Sequence, residues 1–192
     1  MTQDMARLGK KDWIDEGLSV LTESGYEGIK IDRLCKRLNI SIGSFYHHFK
    51  NIDDYIEKMI LEWETRSYGA YQAILEHESG PEFKLERLYE STMDMPPKLE
   101  VAIRAWSFQN DFIGRSVDKI DKRRVKLLVG LFSEMGYDID MSKSLAEVNY
   151  SSYLGIITYC TNRSRGSARK LIDSHRQMFD GHLSGMKSIP VN

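Results

Sequence analysis

The stretch ISIGSFYHHF at residues 40–49 carries the most specific structural information in this sequence. Ser41 is a residue type that favours the N-cap of a helix, and Phe45 and Phe49 fall one helical turn apart, so both side chains would face the protein interior. The remaining positions of this short segment are mostly small or polar. The pattern predicts a short amphipathic helix whose outer face is available for contact with another molecule.

A second short helix is predicted directly before this stretch. Ile31, Leu34, Cys35 and Leu38 recur at helical spacing, and Asn39, which tolerates the left-handed conformation, ends the segment. Two short amphipathic helices joined by a tight turn form the helix-turn-helix pattern. In that pattern the second helix enters the major groove of DNA.

The outer face of the second helix has chemistry that suits DNA. Gly43 would let the helix approach the backbone, Ser44 and Tyr46 carry hydroxyls for phosphate oxygens, and His47 can donate to a phosphate or a base edge. Two interpretations of Ile42 stay open, a core position or contact with a thymine methyl. Four basic residues give the preceding helix a cationic side: Lys30, Arg33, Lys36 and Arg37.

The rest of the chain also has helical periodicity, which predicts an all-α fold of about nine helices. Residues 1–50 are expected to form the DNA-binding domain and residues 51–192 a second helical domain. Asn51 would cap a long helix at the start of that domain. The last two helices are predicted at about 141–162 and 167–184, and their broad apolar faces predict pairing in a four-helix bundle between two copies of the chain.

The charge of the chain gives no global sign of a nucleic-acid partner. The net charge is −1 over 192 residues, and residues 1–50 have eight basic and seven acidic residues. Any DNA-binding surface must therefore be a local patch. Cys35 and Cys160 are two isolated thiols, which suggests a reducing compartment, and no apolar run predicts a signal peptide or a membrane span. We therefore expect a cytoplasmic protein without membrane contact.

No motif of an enzyme or a metal site was found in the sequence. It has no glycine-rich phosphate loop, nucleophile elbow or zinc-binding His-Glu-x-x-His segment. His47 and His48 diverge by about 100° on a helix and cannot hold one ion together. An enzyme assembled from distant residues stays an alternative, but we expect no catalytic residue, no metal ligand and no cofactor.

The run at residues 40–49, followed by KNIDDY at residues 50–55, resembles the tetracycline-repressor (TetR/AcrR) family. The family signature is a Val-Ser-x-Gly-Ser/Thr-Leu/Phe-Tyr-x-x-Phe run that enters a helix beginning Lys-x-x-Leu, and the resemblance covers roughly residues 10–60. It implies a two-fold dimer that binds a palindromic operator on double-stranded DNA and is released by a small-molecule effector. The DNA-contact residues predicted from the chemistry and the resemblance are Lys30, Arg33, Ser41, Ile42, Gly43, Ser44, Tyr46, His47 and Lys50.

The sequence departs from the family pattern at three positions. Ile52 stands where a lysine is usual, Lys30 replaces a threonine cap, and Asn39 replaces a turn glycine. The Ile52 departure supports a further alternative, a protein-binding helical adaptor that has lost DNA recognition. The resemblance also implies an effector pocket among the central helices. Its expected lining residues are Trp63, Tyr89, Met93, Trp106, Asn110, Tyr150 and Tyr153.

Overall fold

The computed structural model describes residues 8–76, 80–94 and 97–187, and the side chains of these residues except for residues 70, 92–94, 165 and 182–187. This part of the chain forms nine α-helices and no strand, which confirms the predicted all-α fold. The helices are α1 (Lys10–Ser24), α2 (Ile31–Leu38), α3 (Ile42–His48), α4 (Ile52–Leu75), α5 (Pro81–Asp94), α6 (Pro97–Ser107), α7 (Asp111–Glu134), α8 (Ile139–Cys160) and α9 (Arg165–Lys187). None of the helices described is both long and apolar enough to cross a membrane.

The helix ends fall at residues whose chemistry explains them. Gly25 follows α1 at φ 69°, and Asn39 follows α2 in the left-handed conformation at φ 54° and ψ 46°. The Asn51 side chain accepts a hydrogen bond from the Asp54 backbone N–H at 2.8 Å, which caps α4 as predicted. Asp138 caps α8 in the same way, since its carboxylate accepts from the N–H groups of Asp140 and Met141.

The chain divides into two compact units. The first includes the described residues up to Gly69 together with Ala102–Ile120, and the second includes Ala70–Val101 and the chain from Asp121 onward. The first unit therefore extends beyond residue 50. The functional boundary placed at residue 50 from the sequence stays a prediction.

An aromatic cluster forms the core of the first unit. Trp13 of α1 meets Phe45 and Phe49 edge-on, with ring centroids 5.3 Å and 6.2 Å apart, and Phe49 lies 4.9 Å from Tyr55 of α4. The Tyr55 hydroxyl donates to the backbone carbonyl of Trp13 at 2.7 Å. Gly17 leaves the space for this contact, because a Cβ at residue 17 would overlap the Tyr55 hydroxyl. The cluster fixes α3 between α1 and α4.

The core of the second unit is formed by apolar residues of the end of α4 and of α5, α7, α8 and α9. Its fully buried centre is Phe132, whose ring lies 5.8 Å from that of Phe179. A second, smaller cluster contains Ile156, Cys160 and Ile172. The inward faces of α8 and α9 thus pack within a single chain.

Candidate nucleic-acid interface

The second helix of the helix-turn-helix is held by its inner side and exposed on its outer side. Phe45 and Phe49 are buried in the aromatic cluster of the first unit. The turn before α3 is fixed by two backbone bonds, from the Asn39 N–H to the Lys36 carbonyl at 3.3 Å and from the Ile40 N–H to the Cys35 carbonyl at 3.0 Å. Packing and hydrogen bonds within the protein therefore fix the orientation of α3.

The outer side of α3 consists of residues that the sequence analysis predicts to contact DNA. Tyr46 is 56% exposed and Ile42 is 49% exposed, so Ile42 is not a core residue and its methyl groups are accessible. Ser41, Gly43 and His47 are exposed as well, and Ser44 is half-buried. Contact of these residues with DNA stays a prediction.

No contact among the described residues requires a glycine at position 43. A Cβ built at this position would meet only the Ser41 hydroxyl, at 3.8 Å, which is an ordinary van der Waals distance. Glycine in a helix is less favourable than alanine by about 0.5–1 kcal/mol. The space above Gly43 therefore suits the close approach of another molecule.

The basic side of α2 is partly neutralised by acidic residues of α1. The Arg37 guanidinium pairs with Glu23 at 2.5 Å and with Glu16, and the hydrogen bonds that it donates to these carboxylates raise the pKa of Arg37 above its usual range. Arg33 donates to the Ser24 hydroxyl at 2.6 Å. Lys30 and Lys36 are exposed.

The segment that follows α3 combines the predicted contact Lys50 with the start of α4. The Lys50 backbone N–H donates to the Asp54 carboxylate at 2.9 Å, and the Lys50 side chain is exposed. Hydrogen bonding to Lys58 holds the pKa of Asp54 below its usual value. Ile52, the residue that departs from the family pattern, is half-buried.

Three of the residues predicted to contact an effector lie together in the second unit. Tyr89, Tyr150 and Tyr153 line one cavity, and burial raises the pKa of Tyr89 to about 12 and that of Tyr153 well above its usual range. The hydroxyls of Tyr89 and Tyr153 are therefore uncharged at neutral pH. Arg124 of α7 lines the same cavity, in contact with Glu100.

Three other predicted effector contacts lie in the first unit, where two of them have clear structural partners. The Trp106 ring stacks on Tyr26 at 5.8 Å, and the Asn110 side chain accepts from the N–H groups of Phe112 and Ile113 at the start of α7. Trp63 is buried. The Met93 side chain lies outside the described residues. Effector contact at all four positions stays a prediction.

Sequence reasoning missed Arg124, although the pattern contained a signal for it. Ile120, Leu128 and Leu131 are buried on one side of α7, and Arg124 occupies the position between them at helical spacing. A charged residue within an apolar stripe indicates a buried polar contact, because a buried charge needs a partner.

Helices α2 and α3 form a helix-turn-helix whose second helix is exposed, and comparisons with known proteins find the same motif. A family model described as bacterial regulatory proteins of the tetR family matches residues 14–59. The Transcriptional regulator AcuR of Cereibacter sphaeroides is 37% identical over 60 residues, which are 31% of this chain and 27% of that protein. The biofilm operon icaADBC HTH-type negative transcriptional regulator IcaR of Staphylococcus epidermidis is 21% identical over 147 residues, 76% of this chain and 66% of that protein.

The similarity of fold extends along the whole chain. The crystal structure of a TetR transcriptional regulator from Legionella pneumophila superposes with a TM-score of 0.74 at 17% identity, covering 95% of this chain and 98% of that one. Residues 14–59 thus resemble the tetR family of bacterial regulatory proteins, and the chain shares its fold with solved structures of such regulators. The sequence matches span about a quarter of AcuR and 66% of IcaR.

Proposed function

We propose that this chain is a homodimeric repressor that binds a palindromic operator through α3 and is released by a small-molecule effector. The observation that carries the proposal is the outer face of α3, where exposed Tyr46 and Ile42 flank a glycine that the fold does not require. Exposed aromatic and apolar side chains beside such a glycine suit a surface that becomes covered on binding.

The residues of this face have separate roles in the proposal. Tyr46 binds a phosphate oxygen through its hydroxyl and fixes the position of α3, whereas Ser44 and His47 reach base edges. Lys30 and Lys50 supply cationic contacts to the backbone at the two ends of the helix-turn-helix. Because Arg37 is paired with Glu16 and Glu23, it adds little to the attraction for DNA.

Dimerisation is proposed to use the outer faces of α8 and α9. Several apolar residues of the two helices cannot serve in this role, because Ile156, Ile157, Cys160 and Phe179 are buried within one chain. Exposed apolar residues remain on both helices, among them Val148 and Met178, which are 58% and 70% exposed. Gly155 and Gly181 lie in open space near them. A partner helix that approaches closely would account for exposed glycines in long helices.

Repression is supported by IcaR, whose name describes a negative regulator, and by the behaviour expected of the family. Release by an effector requires that the effector bind more tightly to the form of the dimer that does not fit the operator. The cavity lined by Tyr89, Tyr150 and Tyr153 is the proposed effector site.

A comparison of single variants on DNA tests the assignment of α3. Tyr46→Phe should weaken binding of all duplexes retained by the wild type to a similar extent, because one hydrogen bond to a phosphate is lost, and it should leave the salt dependence unchanged, because a hydroxyl displaces no counterion. Ser44→Ala and His47→Ala should change the preferred sequence instead. If Tyr46→Phe left the affinity for every duplex unchanged, the phosphate contact would be refuted.

The adaptor alternative is favoured by two observations, the half-buried Ile52 in place of a lysine and the pairing of Arg37 with acidic residues. An adaptor would show no affinity for DNA at low salt. The substitution Ile52→Lys separates the two functions, because it should strengthen a DNA-binding protein by one backbone contact and leave an adaptor without affinity for DNA.

A further inference from the structure

One buried arginine in the second unit has an unsatisfied donor and lines a cavity. The cavity has a volume of about 40 Å³ and is lined by Arg124, Asn149, Tyr71, Tyr89, Tyr150 and Tyr153, with leucines of α5 and α7. We call it the Arg124 cavity. Arg124 is only 3% exposed, and its Nε atom is buried without a hydrogen-bond partner in the part of the chain that the structure describes.

The other nitrogen atoms of Arg124 are well satisfied. Nη1 donates to Glu100 at 3.0 Å and to the Tyr150 hydroxyl at 3.1 Å, and Nη2 donates to the second Glu100 oxygen at 3.4 Å. The guanidinium carbon lies 5.2 Å from the centre of the Tyr71 ring. Since a buried donor without an acceptor is destabilising, the Nε–H offers one strong position for an acceptor atom of a ligand.

The charges around the cavity disfavour a charged ligand, and an anion more than a cation. Glu100 already balances Arg124, and Asp121 is close by, because it accepts a hydrogen bond from the Tyr150 hydroxyl at 2.6 Å. A bound carboxylate would add an uncompensated negative charge beside these two acids, and a bound cation would face the guanidinium. The tyrosine and leucine side chains favour an apolar, aromatic ligand.

The ligand must displace part of the wall, because 40 Å³ holds only a few water molecules. Leu85 and Tyr89 line both this cavity and a larger groove of about 510 Å³ that also involves Phe83 and Tyr137. Tyr89 is held by Asn149, whose side-chain amide donates to its hydroxyl. Rotation of Tyr89 would join the cavity to the groove and give room for an aromatic ring.

We infer that the Arg124 cavity binds an uncharged aromatic molecule with one hydrogen-bond acceptor, such as a ketone, ester or ether oxygen, placed on Arg124 Nε. The inference depends on the proposed function only in identifying this molecule as the effector. The binding site itself follows from the buried donor, the charge balance and the aromatic walls.

Four small probes of similar size test which class of ligand the Arg124 cavity binds in the purified protein. They are acetophenone, ethylbenzene, benzoate and benzyltrimethylammonium, and their binding is measured by saturation-transfer NMR titration. Acetophenone should bind at least about tenfold more tightly than ethylbenzene, which keeps the ring and the two-carbon chain but lacks the acceptor oxygen. Benzoate and benzyltrimethylammonium should bind more weakly than acetophenone. Equal binding of acetophenone and ethylbenzene, tighter binding of either ion, or no binding of acetophenone would overturn the inference.

Two variants test whether acetophenone binds at Arg124. Arg124→Lys keeps the charge opposite Glu100 but lacks the Nε–H, and it should reduce the preference for acetophenone over ethylbenzene to about twofold or less. Arg123→Lys is the matched control, because Arg123 is the exposed neighbour, and it should keep the wild-type preference. An unchanged preference in Arg124→Lys would refute the site. If Arg124→Lys does not fold, the probe series on the wild type still decides the question.

A DNA-binding measurement with acetophenone separates this inference from the proposed function. Binding of acetophenone with the expected preference but without any effect on DNA affinity would leave the site intact and contradict effector release. DNA binding that responds to other small molecules while acetophenone does not bind would support effector release and refute the ligand class assigned to the Arg124 cavity.

Discussion

Gly17 and Gly43 show how residues of one type serve different purposes in this chain. A Cβ at residue 17 would overlap the Tyr55 hydroxyl and lie 2.7 Å from the Met59 sulfur, whereas a Cβ at residue 43 meets only Ser41 at 3.8 Å. Gly17 is therefore required by the core of the first unit. Gly43 faces outward, and the fold places no steric demand on it.

Alanine variants at both positions can distinguish the roles of the two glycines. Gly17→Ala should lower the free energy of unfolding by about 1–3 kcal/mol, as expected for an overpacked core. Gly43→Ala should leave stability equal or slightly higher and should weaken DNA binding by about tenfold, because the added methyl group separates α3 from the backbone contacts. Urea unfolding and duplex titration measure the two effects. Unchanged DNA affinity in a folded Gly43→Ala protein would contradict the close approach of α3.

His175 predicts a pH dependence of stability. Burial lowers the pKa of His175 below its ordinary value of 6.5, although Asp180 opposes the shift. Between the folded and unfolded pKa values the unfolded chain binds more protons, so stability decreases as the pH falls below 6.5. His175→Gln should reduce this decrease when urea unfolding is compared at pH 7 and pH 5. A variant that keeps the full wild-type dependence would show that other groups cause it.

At the level of elements, the short α2 depends on the conformation of the residue that ends it. Asn39 adopts the left-handed conformation at φ 54°, which costs most residues other than glycine about 1–2 kcal/mol. Asn39→Ala should therefore destabilise the protein by about 1 kcal/mol, and Asn39→Gly should be neutral or slightly stabilising. Thermal unfolding of both variants tests the expectation. Equal stability of the two variants would mean that the left-handed conformation at residue 39 does not affect stability.

The sequence predicted those elements whose signals are local. Asn39, Asn51 and the Phe45/Phe49 pair lie within a few residues of the turns and helices that they define, so spacing and residue type were sufficient. The Arg124–Glu100 contact could not be predicted in this way, because its partners are on different helices and meet only when the second unit is packed. For the same reason the apolar residues of α8 and α9 could not be divided into core and outer face from their periodicity alone.

At the scale of the whole molecule, the proposed dimer interface can be tested by a substitution that favours the helix in the monomer but weakens the dimer. Gly155→Leu should favour the helical state of α8 in the monomer but should raise the dimer dissociation constant by about tenfold or more, because a large side chain disrupts a close helix contact. Gly130→Leu on α7 is a matched control, since both glycines are exposed in helices and both face open space.

Sedimentation equilibrium measures both variants. A Gly130→Leu protein should retain the wild-type dissociation constant. Equal effects of the two substitutions would show that the outer face of α8 is not the interface, and dimerisation would then have to use another surface of the chain.

Selection of bound duplexes from a random pool, repeated at two salt concentrations, tests the central claim most directly. A dimer that presents α3 to successive major grooves should enrich a palindrome, and its affinity should fall steeply with salt because Lys30, Lys50 and their neighbours displace counterions from the phosphates. The same selection with Gly43→Ala should recover the palindrome weakly or not at all. If the wild-type protein enriches no sequence even at low salt, the chain is not a DNA-reading regulator, and the adaptor function replaces it.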